Sequence, residues 1–207
     1  MQKSKKIPMA KQAMAKQPGK QAPSAAPTHV ALLRGINVGG KNILPMVELA
    51  RICTGAGCAG VQTYIHSGNV VFAGDAACAK SMPAIVEEKI LKRFGFRPTI
   101  VIRTSKEMAQ IVVANPFVPN AADTKALYVG FLRDQPSADK IAGLDPNRSP
   151  GDLFQVLGRQ IYMNLAGHGA ADTKLTTAYF DSKLDTVSTF RNWRTVLKLH
   201  EMLNGES

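Results

Sequence analysis

An α+β fold of two ferredoxin-like βαββαβ halves with antiparallel sheets, behind a disordered basic N-terminal tail, follows from three features of the sequence. Short β-branched runs alternate with segments of helical period. In each half two such runs flank a tight turn, Ser67-Gly68 and then Gly158-Arg159, which places a hairpin in each sheet. The order strand, helix, strand, strand, helix, strand occurs twice, and that order is the split βαβ unit.

Met1 to Thr28 carries six lysines (3, 5, 6, 11, 16 and 20) and no acid, so of the formal charge of +11 the remaining chain holds +5. Rich in Lys, Gln, Ala and Pro without apolar periodicity, this segment cannot bury enough surface to offset its ordering entropy and reads as a disordered tail. Weak contact with nucleic acid or an anionic surface is its functional reading; a solvated extension is the simpler one.

The first subdomain, 29–104, opens with the strand "HVALLR". Pro45 suits the first turn of a helix, and "MVELARICTGAG" follows with Val47, Leu49, Ile52 and Cys53 as its apolar face and glycines as its stop. "VQTYIH" and "NVVFA" make the hairpin. "AKSMPAIVEEKILKRFG" spaces Ile85, Ile90, Leu91 and Phe94 helically and stops at Gly95, and "PTIVIR" is the closing strand. A helical connector, 105–125, runs from Ser105 to Ala114 and ends before Asn115-Pro116. In the second subdomain, 126–207, "ALYVGFLR" is a strand, "SADKIAGL" a short helix and "LFQVLGRQIYMNL" a hairpin. Asp172 or Thr173 caps a helix through "KLTTAYFDSKL", "TVST" is a last short strand, and "RNWRTVLKLHEML" is the closing helix.

Composition narrows the function. The 45% hydrophobic content supports an ordinary core. No apolar run approaches the roughly 18 residues of a membrane span, and the lysine-bearing N-terminus lacks a signal-peptide apolar region. Cys53, Cys58 and Cys78 form no C-x-x-C, which fits a reducing cytoplasm. His29, His66, His168 and His200 are scattered, so neither a metal nor a cofactor is expected. No G-x-S-x-G elbow or recognisable nucleophile, histidine and acid pattern appears.

"RGINVGGKNILP" carries the strongest chemical signal. Gly35, Gly40 and Lys41 match the G-x-x-x-x-G-K skeleton of a phosphate loop, but Asn42 stands where a Ser or Thr would hold Mg²⁺. Gly35, Gly39 and Gly40 permit positive φ, so backbone N–H groups of this turn can form an anion-binding nest beside a helix N-terminus, with Arg34, Asn37, Lys41 and Asn42 around it. The alternative is a structural turn whose asparagines bond local backbone. In a ferredoxin-like half, the end of "HVALLR", the start of the next helix and the hairpin turn share one sheet edge. That brings Tyr64, His66, Ser67, Gly68 and Asn69 beside Lys41.

A second cluster comprises Lys174, Arg191, Asn192, Trp193 and Arg194. Trp193, the sole tryptophan, reads either as a core anchor or as an aromatic platform between arginines.

Five segments, "VALLRGINVGGKNILPMVEL", "TYIHSGNVVF", "NPF" (Asn115 to Phe117), "TKLTTAYFDSKL" and "TFRNWRTVLKL", resemble the bacterial family named domain of unknown function 1697. The resemblance covers His29 to about residue 204 and implies an α+β fold and a cytoplasmic protein, with no reaction or cofactor attached. Departures from the family's usual pattern are His66 for Gln, Thr173 for Ser and Arg194 for Asn.

The leading functional expectation is a module binding an anionic ligand, a nucleotide or nucleic-acid segment, through the glycine-rich loop and its neighbouring hairpin. An enzyme acting on a phosphorylated small molecule and a structural or oligomer-forming protein are the alternatives.

Overall fold

The computed structural model describes residues 26–165 and 169–205. Of the predicted tail, 1–28, residues 1–25 lie outside the described range. The first half runs β1 (His29–Arg34), α1 (Met46–Thr54), β2 (Ala59–Tyr64), β3 (Asn69–Ala73), α2 (Ala76–Phe94), β4 (Thr99–Thr104) and α3 (Ser105–Val113). Two 3-10 turns, Val118–Asn120 and Thr124–Ala126, lead to β5 (Leu127–Leu132), α4 (Ala138–Ala142), β6 (Leu153–Leu157) and β7 (Gln160–Asn164). The chain then continues through α5 (Gly169–Asp172), α6 (Thr177–Leu184), β8 (Ser188–Asn192) and α7 (Trp193–Asn204).

Two four-stranded sheets result, in the orders β2-β3-β1-β4 and β6-β7-β5-β8, with every neighbouring pair antiparallel. Each half therefore has its first strand inside the sheet and its fourth at an edge, the ferredoxin-like arrangement made twice. The duplication holds to the residue. Val30 of β1 faces Arg103 of β4, and Val129 of β5 faces Arg191 of β8.

Both faces of the central strands are covered, which is why "HVALL" and "NVVFA" read as continuous apolar runs. Alternation along β1 sends Val30 and Leu32 to one core cluster, and Ala31 and Leu33 to another. The first cluster lies between the halves, where Val129 and Phe131 of β5 meet Met108 and Ile111 of α3 and Val196 and Leu199 of α7. The second packs sheet one on α1 and α2; a third packs sheet two on α6 through Phe180 and Leu184. The outer edge strands β2 and β6 have no fully buried residue.

Caps fix the helix ends that steer the chain between layers. Thr104 and Glu107 form a capping box on α3, and Asn192, at the equivalent place after β8, accepts from the Thr195 N–H to start α7. Gly95 closes α2 at φ +77°.

Several predicted boundaries move. The last strand continues to Asn192, through residues whose sequence suggested the final helix, and from this extended segment Arg191 is buried among backbone carbonyls. Thr176, not Asp172 or Thr173, caps α6, while the Thr173 hydroxyl donates to Asp152 and accepts from the Leu175 N–H. Val47, assigned to the apolar face of α1, is 64% exposed, and that face consists of Leu49, Ile52 and Cys53. Among the described residues no helix is long and apolar enough to cross a membrane.

Candidate functional site

The glycine-rich loop is tied to itself. Gly39 and Gly40, at φ +56° and +73°, form a two-residue turn closed by a bridge between Val38 and Lys41, whose N–H donates to Val38 O at 3.0 Å. The Asn37 N–H donates to Asn42 O, and the Leu44 N–H donates to Asn37 Oδ1 at 2.7 Å. Asn37 Nδ2 in turn donates to Leu44 O and to His66 O, and Asn42 Nδ2 donates to Gly35 O. Three amides of the loop, those of Asn37, Lys41 and Leu44, therefore face the protein's own oxygens. Lys41 sits on the exposed arm of the turn. Arg34 leaves the loop altogether, because its guanidinium is paired with Asp181 on α6 and donates to Ser188 O.

Loop and hairpin do meet, as the sheet topology requires. The Leu33 N–H donates to Gly68 O at 2.8 Å. A Cβ on Gly68 would lie 2.7 Å from Leu33 Cβ and 2.9 Å from Ile36 Cδ1, and its φ is +77°, so the position admits only glycine without rearrangement. Asn69 is fully buried; its Nδ2 donates to Tyr64 O and Ser67 Oγ, and its Oδ1 accepts from Arg191 Nε. Tyr64 leans on the central core, while His66 and Ser67 stay exposed. Ile65 between them adopts φ +47°, a costly conformation for a β-branched residue.

The second predicted cluster divides. Trp193 is 4% exposed within the central core, Asn192 caps α7, Arg194 is exposed, and the Lys174 N–H donates to Ser149 Oγ. Arg191 crosses into the first half. Its Nη2 donates to Leu33 O at 2.7 Å and Ser67 O at 3.1 Å, and its Nη1 donates to Phe190 O. Burial pushes the guanidinium down to about 10, still charged near neutral pH, with carbonyl dipoles in place of a carboxylate.

Arg103, which no chemical motif in the sequence singles out, makes the reciprocal crossing. From β4 its Nη2 donates to Leu132 O at 2.7 Å and Arg159 O at 2.9 Å, and its Nη1 donates to Ile102 O. With the Gln160 amide oxygen turned toward it, Nε donates there at 3.3 Å. Leu132 matches Leu33, the Gly158-Arg159 turn matches Ser67-Gly68, and Gln160 at the head of β7 matches Asn69 at the head of β3. Each half is thus locked to the other by the same arginine of its fourth strand.

Beside the Arg103 crossing lies a cleft of about 500 Å³. Lys80, Pro83, Ala84 and Glu87 of α2 form one wall, residues 100–103 of β4 the floor, and Arg133 and Arg159 the far side. Arg159 is ion-paired with Glu107, and Glu87 lies 3.8 Å from Arg97. Arg133 and Lys80 are exposed and have no ion pair among the described residues. Burial, then Arg159, lowers Arg103 to about 10, with Glu107 opposing them. The cleft is a concave site in which cations outnumber acids, of the size that holds small ligands.

A repeated signal in the sequence marks these residues. "LLR" and "FLR" end the first strands, placing Arg34 and Arg133 at equivalent positions, and "IVIRTS" and "STFRNW" place Arg103 and Arg191.

These features define an α+β protein with two ferredoxin-like units joined by exchanged arginines. The family model described as protein of unknown function (DUF1697) matches residues 27–162, and the chain belongs to that family. No curated protein matches it. Among solved structures it is similar to the conserved bacterial protein SP0830 from Streptococcus pneumoniae, at 22% identity and a TM-score of 0.63, over 86% of this chain and 99% of that one. That similarity concerns the fold alone.

Proposed function

We propose that the protein is a binding module for an anionic ligand, seated in the cleft between α2, β4 and the second half. The observation that carries this reading is the pair Lys80 and Arg133, two exposed cations lining one concavity with no acid paired to either among the described residues. Buried Arg103 and half-exposed Arg159 add positive potential to the floor and rim, and low-dielectric walls strengthen it. The glycine-rich loop and the hairpin, Arg34 to Asn42 and Tyr64 to Asn69, enter this reading as scaffold, because the Asn37, Lys41 and Leu44 amides already have acceptors. Lys41 on the exposed arm of that turn is the rival seat.

A thermal-shift titration of the full chain with small anions tests the reading. Stabilisation that is lost in the Lys80→Ala/Arg133→Ala double variant and kept in Lys41→Ala supports the cleft. Stabilisation lost only in Lys41→Ala moves the site to the loop, and the absence of any anion-dependent shift rejects the function.

A second reading has its own observation. Val38 and Ile43 of the loop, Val47 at the start of α1 and Ile65 of the hairpin are 68%, 59%, 64% and 49% exposed. Exposed apolar side chains on adjoining segments suit a protein contact. A Val47→Lys variant that changes oligomeric state or solubility by light scattering favours this reading; an unchanged monomer opposes it.

A further inference from the structure

The internal duplication supplies a comparison for the cleft. In the second half Ser188, on the edge strand β8, turns its backbone outward, and both groups are used: the N–H donates to Asp181 Oδ1 at 2.8 Å and the carbonyl accepts from Arg34. Arg34 and Asp181 close that side with an ion pair. Arg34 follows Leu33, as Arg133 follows Leu132, and Ser188 faces Leu132 in the register in which Ile100 faces Leu33. The duplicate of this ion-paired site is therefore Arg133 beside Ile100, inside the cleft.

Ladder geometry fixes which way Ile100 points. The Ser105 N–H donates to Thr28 O, and hydrogen-bonded and non-hydrogen-bonded pairs alternate along an antiparallel ladder. Counting from that bond, Arg103 and Val101 bond inward to β1, and Ile102 and Ile100 present their backbone to the free edge. The Ile102 carbonyl is taken by Arg103. The Ile100 N–H is directed into the cleft, as the Ser188 N–H is directed at Asp181. The wall that confronts it contains Pro83, Ala84 and Glu87, and the Glu87 carboxylate lies toward Arg97. The duplicated site thus has its cation and its amide donor without the acid.

We propose that a ligand carboxylate fills this place as the Asp181 side chain fills its counterpart, one oxygen accepting from the Arg133 guanidinium and the other from the Ile100 N–H. Lys80, farther along the same wall, receives a second acidic group, so the ligand class is a small dicarboxylic acid. This deepens the anion-binding reading and rests on it. A planar carboxylate suits the two donors because they approach from a guanidinium fork and a single in-plane amide.

The test is isothermal titration of the full chain with succinate, glutarate, acetate, inorganic phosphate and a short acidic peptide. The expected result is that a dicarboxylate binds more tightly than acetate or phosphate and loses about tenfold in affinity or more in Arg133→Gln, the loss of one charge-assisted contact. Ala84→Glu, which places an acid on the confronting wall, is expected to abolish binding while raising thermal stability, the protein then supplying its own carboxylate. Because that variant gains stability, its loss of binding is not attributable to misfolding. Phosphate binding as tightly as the dicarboxylates, with the same loss in Arg133→Gln, overturns the carboxylate proposal and leaves the anion-binding reading intact. Preference for the acidic peptide over every small acid also overturns it, pointing to strand addition at β4. Absence of binding by all probes overturns both.

Discussion

Arg103 and Arg191 occupy the same place on two edge strands, and each directs its guanidinium to the backbone of the opposite half, 2.7 Å from Leu132 O and from Leu33 O respectively. Neither uses a carboxylate. The arginines bind carbonyls of the hairpin turns and of the strand ends at Leu33 and Leu132, so the inter-half contact is specified by backbone geometry as well as by the apolar core. A buried cation held by carbonyls is costly to remove, because its partners are left desolvated without donors.

Arg191→Met is therefore expected to destabilise the fold by about 3 kcal/mol or more, read as a lower urea midpoint. Arg191→Lys recovers only part, since an ammonium cannot span Asn69, Leu33 and Ser67 as a planar fork does. A Met variant as stable as the parent contradicts the role assigned to this contact.

Gly68 and Gly39 both have positive φ, yet their substitutions should differ. At Gly68 a new methyl collides with Leu33 and Ile36, so Gly68→Ala should cost about 3 kcal/mol, combining the left-handed penalty with overpacking. At Gly39 nothing lies within 4 Å, and Gly39→Ala should cost about 1 kcal/mol, the conformational penalty alone. Equal losses in denaturant melts refute this distinction.

His29 gives the fold a pH dependence. It is 8% exposed, stacked on Phe72, with Thr28 Oγ1 at 2.8 Å from Nδ1. Burial lowers its pKa, with Glu107 opposing in part. The unfolded chain therefore takes up a proton at higher pH than the folded one, and stability rises with pH toward the unfolded value of about 6.5 and levels above it. His29→Phe should flatten that slope below about pH 6.5 when urea midpoints are compared. An unchanged slope assigns it to other groups.

The fold was legible because central strands buried on two faces leave continuous β-branched runs and because Ser67-Gly68 and Gly158-Arg159 mark the hairpins. The end of the last strand was not, since "STFRN" joins the helix with no glycine or proline between them and "RNWRTVLKLHEML" carries a helical pattern from Arg191 on. "RGINVGGK" resembles a phosphate loop because tight turns and anion nests share the same glycines, and only the acceptors chosen by Asn37, Lys41 and Leu44 separate the two. The cleft was illegible for another reason: Lys80, Ile100, Arg133 and Arg159 come from four segments that only the pairing of the halves brings together. What marked it was the repeat of Leu-Arg at residues 33–34 and 132–133.

Titration of the ¹⁵N-labelled full chain with succinate, followed by amide chemical shifts, tests carboxylate binding in the cleft residue by residue. Saturable shifts led by the Ile100 amide and shared by residues 80–84 and 133 are expected, with little change at 35–42. Shifts centred on the glycine-rich loop, or none that saturate, would contradict it.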